Sequence, residues 1–153
     1  MDREELLRLY AGGEKDLTGK SFRGTRWRDR IARGGIYRET NFSGAYFDSS
    51  HFIGVDLSFA IFNRVRMYES TIGNSYMEGA DFSDAIFGQA TFYDVDLSRA
   101  IFRNAVFEEA GFKNANLSYA DLRGATGLTT YECKNVIFHE TIMPNGAVYT
   151  GRT

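Results

Sequence analysis

The sequence predicts an all-β solenoid, a four-sided coil of about 5 turns, and three observations predict it. One apolar residue recurs at every fifth position from Leu17 to Leu122, 22 times out of 22. Two residues before each stands a small one, and the sixteen from Ala45 to Ala120 are ten Ala, three Ser and three Val. Eleven of the thirteen phenylalanines fall in the same five-residue register. In a chain that is 43% apolar, chance would produce the first pattern about once in a hundred million draws. A helix, at ~100° per residue, would scatter these positions around its whole circumference, and a strand has a period of two. The chain must therefore turn a corner every five residues, with two side chains inward and three outward on each side.

A twenty-residue super-period closes the square. Every fourth unit stacks Phe42, Phe62, Phe82, Phe102 and Leu122 on one wall and Leu57, Met77, Leu97 and Leu117 on another. Asp56-Leu57-Ser58 returns as Asp96-Leu97-Ser98, two turns on. Successive turns lie ~4.8 Å apart, so aromatic rings pile up along the axis while the small residues let the backbone turn.

Segments such as Ala115-Asn116-Leu117-Ser118-Tyr119, Ala120-Asp121-Leu122-Arg123-Gly124 and Ala80-Asp81-Phe82-Ser83-Asp84 resemble the unit of the pentapeptide repeat family. The resemblance is strong over residues 40–126 and weaker over 17–39. It implies a right-handed quadrilateral β-helix. It also brings a function to weigh, because some members of that family imitate B-form DNA and occupy the DNA site of a type II topoisomerase.

Both ends of a solenoid expose a cut core and unpaired strand edges, which need covers. Over residues 1–14, Asp2 with Glu5 makes a capping box, Leu6, Leu7 and Tyr10 an apolar face, and Gly12-Gly13 a stop, predicting a helical cap at 2–11. Residues 15–38 form an irregular first coil, since Lys15, Lys20, Arg30 and Gly35 stand where Ala or Ser is expected. Either the coil is irregular there or the chain loops out around Arg28 to Gly35. The β-helix proper spans 39–127. In the C-terminal cap, 128–153, Leu128 slips one residue out of register, and Phe138 and Met143 open a phase shifted by one. Thr129 with Glu132 predicts a short helix there, and Pro144-Asn145-Gly146 a tight turn before a strand over 147–149. That tail closes the rod or meets a second copy, so the expected state is a monomer or an end-to-end homodimer.

For a chain of 153 residues, a net charge of -2 with 25% charged residues argues against a wholesale nucleic-acid or membrane binder. No apolar run approaches membrane length, and MDREELLRLY is charged where a signal peptide is apolar, so the expectation is cytoplasmic. No catalytic, cofactor or metal residues stand out, and an enzyme is not expected. His51 has Asp48 and Asp56 near it in sequence but on different walls, and Cys133 lacks a basic environment. The sequons at Asn41 and Asn116 arise from the repeat itself.

Two features remain as candidate partner contacts. Arg26, Arg28, Arg30 and Arg33 belong to a run of six arginines between Arg23 and Arg38, and residues 1–38 carry ten basic against six acidic residues. Residues 39–153 carry eight basic against fourteen acidic. Outward aromatics form the second: Tyr46, Phe59, Tyr68, Tyr76, Tyr93 and Tyr119 stand at positions that a solvated repeat fills with polar residues. Against this, tyrosines can simply stack with neighbours one turn away. The expected function is a non-enzymatic scaffold that presents these residues to a protein partner. The topoisomerase-binding DNA mimic is the alternative, weakened by an acid excess of only six spread over four faces.

Overall fold

The computed structural model describes residues 31–129 and 132–153, together with 8, 12, 18, 19, 21–24 and 26. Parallel bridges link residues twenty apart from Ser21↔Asn41 to Val106↔Thr126, so the chain winds as a coil with one turn per twenty residues. About four complete turns lie between 36 and 126. We label its walls A to D in chain order, by the residues that pair along them. Wall A carries 41, 61, 81, 101 and 121, and wall D carries 36, 56, 76, 96 and 116. Walls B and C hold three-residue strands. On wall C, β1 (Ile31–Arg33), β2 (His51–Ile53), β4 (Thr71–Gly73), β6 (Thr91–Tyr93), β8 (Gly111–Lys113) and β9 (Cys133–Lys134) make a six-stranded parallel sheet. On wall B, β3 (Arg66–Tyr68), β5 (Ile86–Gly88) and β7 (Val106–Glu108) make a three-stranded one.

The corners explain the period of five. At every fifth residue from Gly34 to Gly124 φ is positive, between 49° and 70°, most often in a residue other than glycine. On walls A and D the corner closes a hydrogen-bonded turn, as where Ala85 N–H donates to Phe82 O at 3.1 Å. A positive φ at the third residue is what such a turn requires. The Asx-x-Ser pattern also acquires a cause here. Asn41, Asp81 and Asn116 each accept the backbone N–H and the hydroxyl of the serine two residues on, and Asp56 and Asp96 accept the N–H. These side chains cap their own turn.

Inward residues are closed off from water. Every large residue of the register from Phe42 to Leu122 is at most 2% exposed, and every small one from Ala45 to Ala120 at most 3%. Phe22, Phe42, Phe62, Phe82 and Phe102 stack at 4.9–5.4 Å with planes within 18°. Serine replaces alanine at no polar cost, because Ser75 Oγ donates to Gly73 O at 2.7 Å and accepts Val55 N–H.

The one-residue slip is real: Phe112 pairs with Cys133, Asn116 with Ile137 and Asp121 with Ile142, steps of 21. The end is then covered by strands. β10 (Ile137–Ile142) lies over walls D and A and pairs antiparallel with β11 (Val148–Arg152) around the turn at Pro144-Asn145-Gly146. Among the described residues the short helix expected after Thr129 does not form, because the open edge claims the backbone from Glu132 on: Phe112 N–H donates to Glu132 O, and Asn114 N–H to Lys134 O. The N-terminal helical cap at 2–11 lies, apart from Arg8, outside the described residues and is not borne out. Ile31–Arg33 pairs with His51–Ile53 in the ordinary register, so the chain stays in the ladder there. Arg28 and Arg30 lie outside the described residues.

Candidate functional site

The outward aromatics divide into two sets. Tyr68 and Tyr93 lie flat against a glycine one turn away: a Cβ on Gly88 would stand 2.2 Å from the Tyr68 ring, and one on Gly73 2.1 Å from Tyr93. Tyr68 continues over Gly88 and donates to Glu108 two turns along, at 2.9 Å. That bond, with burial and the charge of Glu108 adding to it, holds the phenol above its ordinary pKa. Both rings are half-buried struts between turns.

The remaining aromatics are exposed, and most share one wall. Of the nine described large hydrophobic residues with exposed surface, Ile36, Phe59, Tyr76, Tyr119 and Ile137 belong to wall D or to its corner with wall A. Tyr76 is the most open of the described aromatic residues, at 65%. Phe59 leans on Gly79 and Tyr119 meets His139 edge to face at 5.2 Å, so both are oriented yet accessible. Wall D has no free strand edge along its length, because each turn is bridged to the next. Recognition on it must use side chains.

Wall B carries a different surface at its N-terminal half. Arg26, Tyr46 and Arg66 follow one another along the axis, with the guanidinium carbons 5.9 and 5.1 Å from the Tyr46 ring centre. Arg66 also lies over Tyr68 and donates through Nε and Nη2 to the buried carboxylate of Asp48. Arg33 lines a separate cleft of about 380 Å³ on wall C with His51, Ile53, Thr71 and Tyr93.

Several carboxylates are held by arginine. Asp121 accepts from Arg123 and Arg103, and Asp56 from Arg38. The guanidinium of Arg123, against some burial and with Arg103 assisting, holds the Asp121 carboxyl far below its usual range. Burial works against the Asp56 charge, but hydrogen bonds from Ser58 and Arg38 outweigh it and lower its pKa. His51, Asp48 and Asp56 occupy walls C, B and D, and among the described residues no cluster could hold a metal ion. Cys133 is buried on Phe112, and burial with Glu132 beside it pushes its thiol up to about 11. No helix among the described residues is long and apolar enough to cross a membrane.

The model for the pentapeptide repeat region matches residues 45–122, half the chain and the part that forms the regular walls. The chain belongs to the pentapeptide repeat family. Among solved structures it is similar to a trypsin-treated variant of QnrB1, a plasmid-mediated fluoroquinolone resistance protein, with 18% identity over 84% of this chain and 69% of that one and a TM-score of 0.58. HetL, involved in heterocyst differentiation regulation in Nostoc sp. strain PCC 7120, shares 16% identity over 97% and 100% of the two chains, with a TM-score of 0.33. A thylakoid lumen protein of Arabidopsis thaliana shares 21% over 76% and 70%, with a TM-score of 0.40. At these identities the likeness is one of fold, resting on QnrB1. A search of curated proteins finds no match.

Proposed function

We propose that this pentapeptide repeat protein is a non-enzymatic interaction scaffold that reads a protein partner with wall D. The observation that carries the reading is the gathering of Ile36, Phe59, Tyr76, Tyr119 and Ile137 on one wall of a coil whose other aromatics are mostly packed away. A stacked interior fixes these side chains at turn spacing, so little ordering entropy is lost when a partner covers them. Exposed aromatics on a rigid face are favoured anchors. Tyr68 and Tyr93 act mainly as struts that stiffen walls B and C, and the arginines near Tyr46 offer a second contact. Affinity capture from the native cell with wild type and with Tyr76→Ser plus Tyr119→Ser should differ by a specific protein. The same catch from both would reject wall D as the partner face.

A DNA mimic would need free negative charge in a dense stripe. Asp48, Asp56 and Asp121 are each engaged by arginine, which removes three carboxylates from any such stripe. A topoisomerase supercoiling assay should therefore stay unchanged at micromolar protein, and protection or inhibition would favour the mimic instead.

A further inference from the structure

The edge between walls A and B carries four arginines around a bare floor. Arg23 and Arg26 stand on one turn, and Arg64 and Arg66 two turns along, because Gly24 N–H donates to Ser43 O, Gly44 N–H to Asn63 O, and Arg26, Tyr46 and Arg66 bridge in sequence. The turn between them offers Gly44 at the corner, where an added Cβ would meet nothing within 4 Å, and Tyr46 beside it. On the adjoining face of wall B a cleft of about 400 Å³ is lined by Arg26, Tyr46, Asp48 and Arg66. Among the described residues, Arg23, Arg26 and Arg64 have no carboxylate partner. Among the described residues, the acids on these rows are Asp48, already held by Arg66, and Asp84, one turn past Arg64 and accepting from Asn104.

We propose that this edge binds a phosphomonoester carried by a partner polypeptide, seated over Gly44 between the two arginine pairs. Two turns span ~10 Å; Tyr46 fills the space between Arg26 and Arg66, while Gly44 leaves the corner between Arg23 and Arg64 without a side chain. Arginine forks match phosphate oxygens two at a time, and these stacked ones are partly preorganised. The length of the basic patch separates this ligand from nucleic acid. Beyond Arg64 the corner continues Asp84, Asn104, Gly124, beyond Arg66 the wall continues Ile86, Val106, Thr126, and the row of Arg23 runs through Ser43, Asn63 and Ser83 before Arg103 and Arg123, both held by Asp121, so the run of arginines available to a long anion is broken after three turns. A nucleic-acid backbone needs a longer track of cations. The site goes beyond the wall D reading and does not depend on it.

Fluorescence anisotropy tests it with three labelled probes: a short Gly/Ser peptide bearing one phosphoserine, its unphosphorylated twin, and a single-stranded oligonucleotide. The phosphopeptide should bind saturably and be displaced by inorganic phosphate, and the twin should not bind. Arg23→Ala and Arg64→Ala should each weaken it at least about fivefold. Arg99→Ala, which removes the same charge from the wall D corner, and Tyr76→Ser should leave it unchanged, which keeps this test separate from that of wall D. Far-UV circular dichroism confirms that each variant keeps the coil. No phosphopeptide binding, equal binding of the twin, tighter binding of the oligonucleotide, or an equal loss with Arg99→Ala would each overturn the proposal.

Discussion

Phe82 sits midway along the phenylalanine column of wall A, and truncating it is the sharpest test of the packed interior. Its ring is wholly buried, stacks on Phe62 at 4.9 Å and Phe102 at 5.0 Å, and meets Phe87 edge-on at 5.6 Å. Removing a buried phenyl group costs about 3–5 kcal/mol. Here the loss should lie in the upper half of that range, because the two stacked partners lose ring contacts worth about 0.5–1.5 kcal/mol each. The stacked turns above and below are bridged by backbone and cannot collapse into the hole. Phe59 is the matched control: it stands at a corner, 50% exposed, with its ring on Gly79. Phe59→Ala should cost below about 1.5 kcal/mol. Urea titration followed by far-UV circular dichroism measures both. Equal losses, or a loss from Phe82→Ala under about 1.5 kcal/mol, would refute the stacked-column argument.

Further predictions concern the caps and ion pairs. The Asp121 carboxyl is lowered from its ordinary 3.8 by Arg123 and Arg103, so its stabilisation is full above that value and lost as pH falls below it. Asp121→Asn should cost about 1–2 kcal/mol at neutral pH, and stability curves against pH should show the gap from wild type closing below about pH 4. Gly127→Ala should destabilise by about 2–4 kcal/mol in the same titration, since the new Cβ would stand 2.0 Å from Phe107 O at a φ of 79°. Cys133, its thiol pushed up to about 11, should resist a thiol reagent at mildly alkaline pH and react fully in urea.

Much of the coil was legible because its rule repeats. A strict period of five, with large and small residues two apart, leaves no freedom for a helix or a two-sided strand, and the slip at Leu128 reads directly as the 21-residue step onto Cys133. The C-terminal helix failed for a physical reason: Thr129 and Glu132 satisfy a local cap, yet the open edge at Phe112 and Asn114 offers a ladder to the same backbone. The division of the aromatics was missed because it is written at a spacing of twenty. Tyr68 faces Gly88 and Tyr93 faces Gly73, so an outward aromatic on a strand with glycine one turn away lies down; Phe59, at a corner, leans on Gly79 yet stays 50% exposed, and Tyr76, with no glycine beside it, stands free. Pairing each outward residue with its neighbours twenty away would have found the difference. The corner positions hid a second signal, since residues as different as Arg64, Glu69 and Asn74 adopt the same positive φ. There the ladder, and not the side chain, dictates the backbone.

Photo-crosslinking in the native cell bears most directly on the claim that one wall meets the partner. A photoreactive phenylalanine placed in turn at position 61 on wall A, 86 on wall B, 93 on wall C and 76 on wall D samples each face of the same rigid coil. The account predicts a discrete adduct of constant mass from position 76 and none, or far less, from the other three. Equal adducts from all four walls, or an adduct confined to wall A or C, would contradict it.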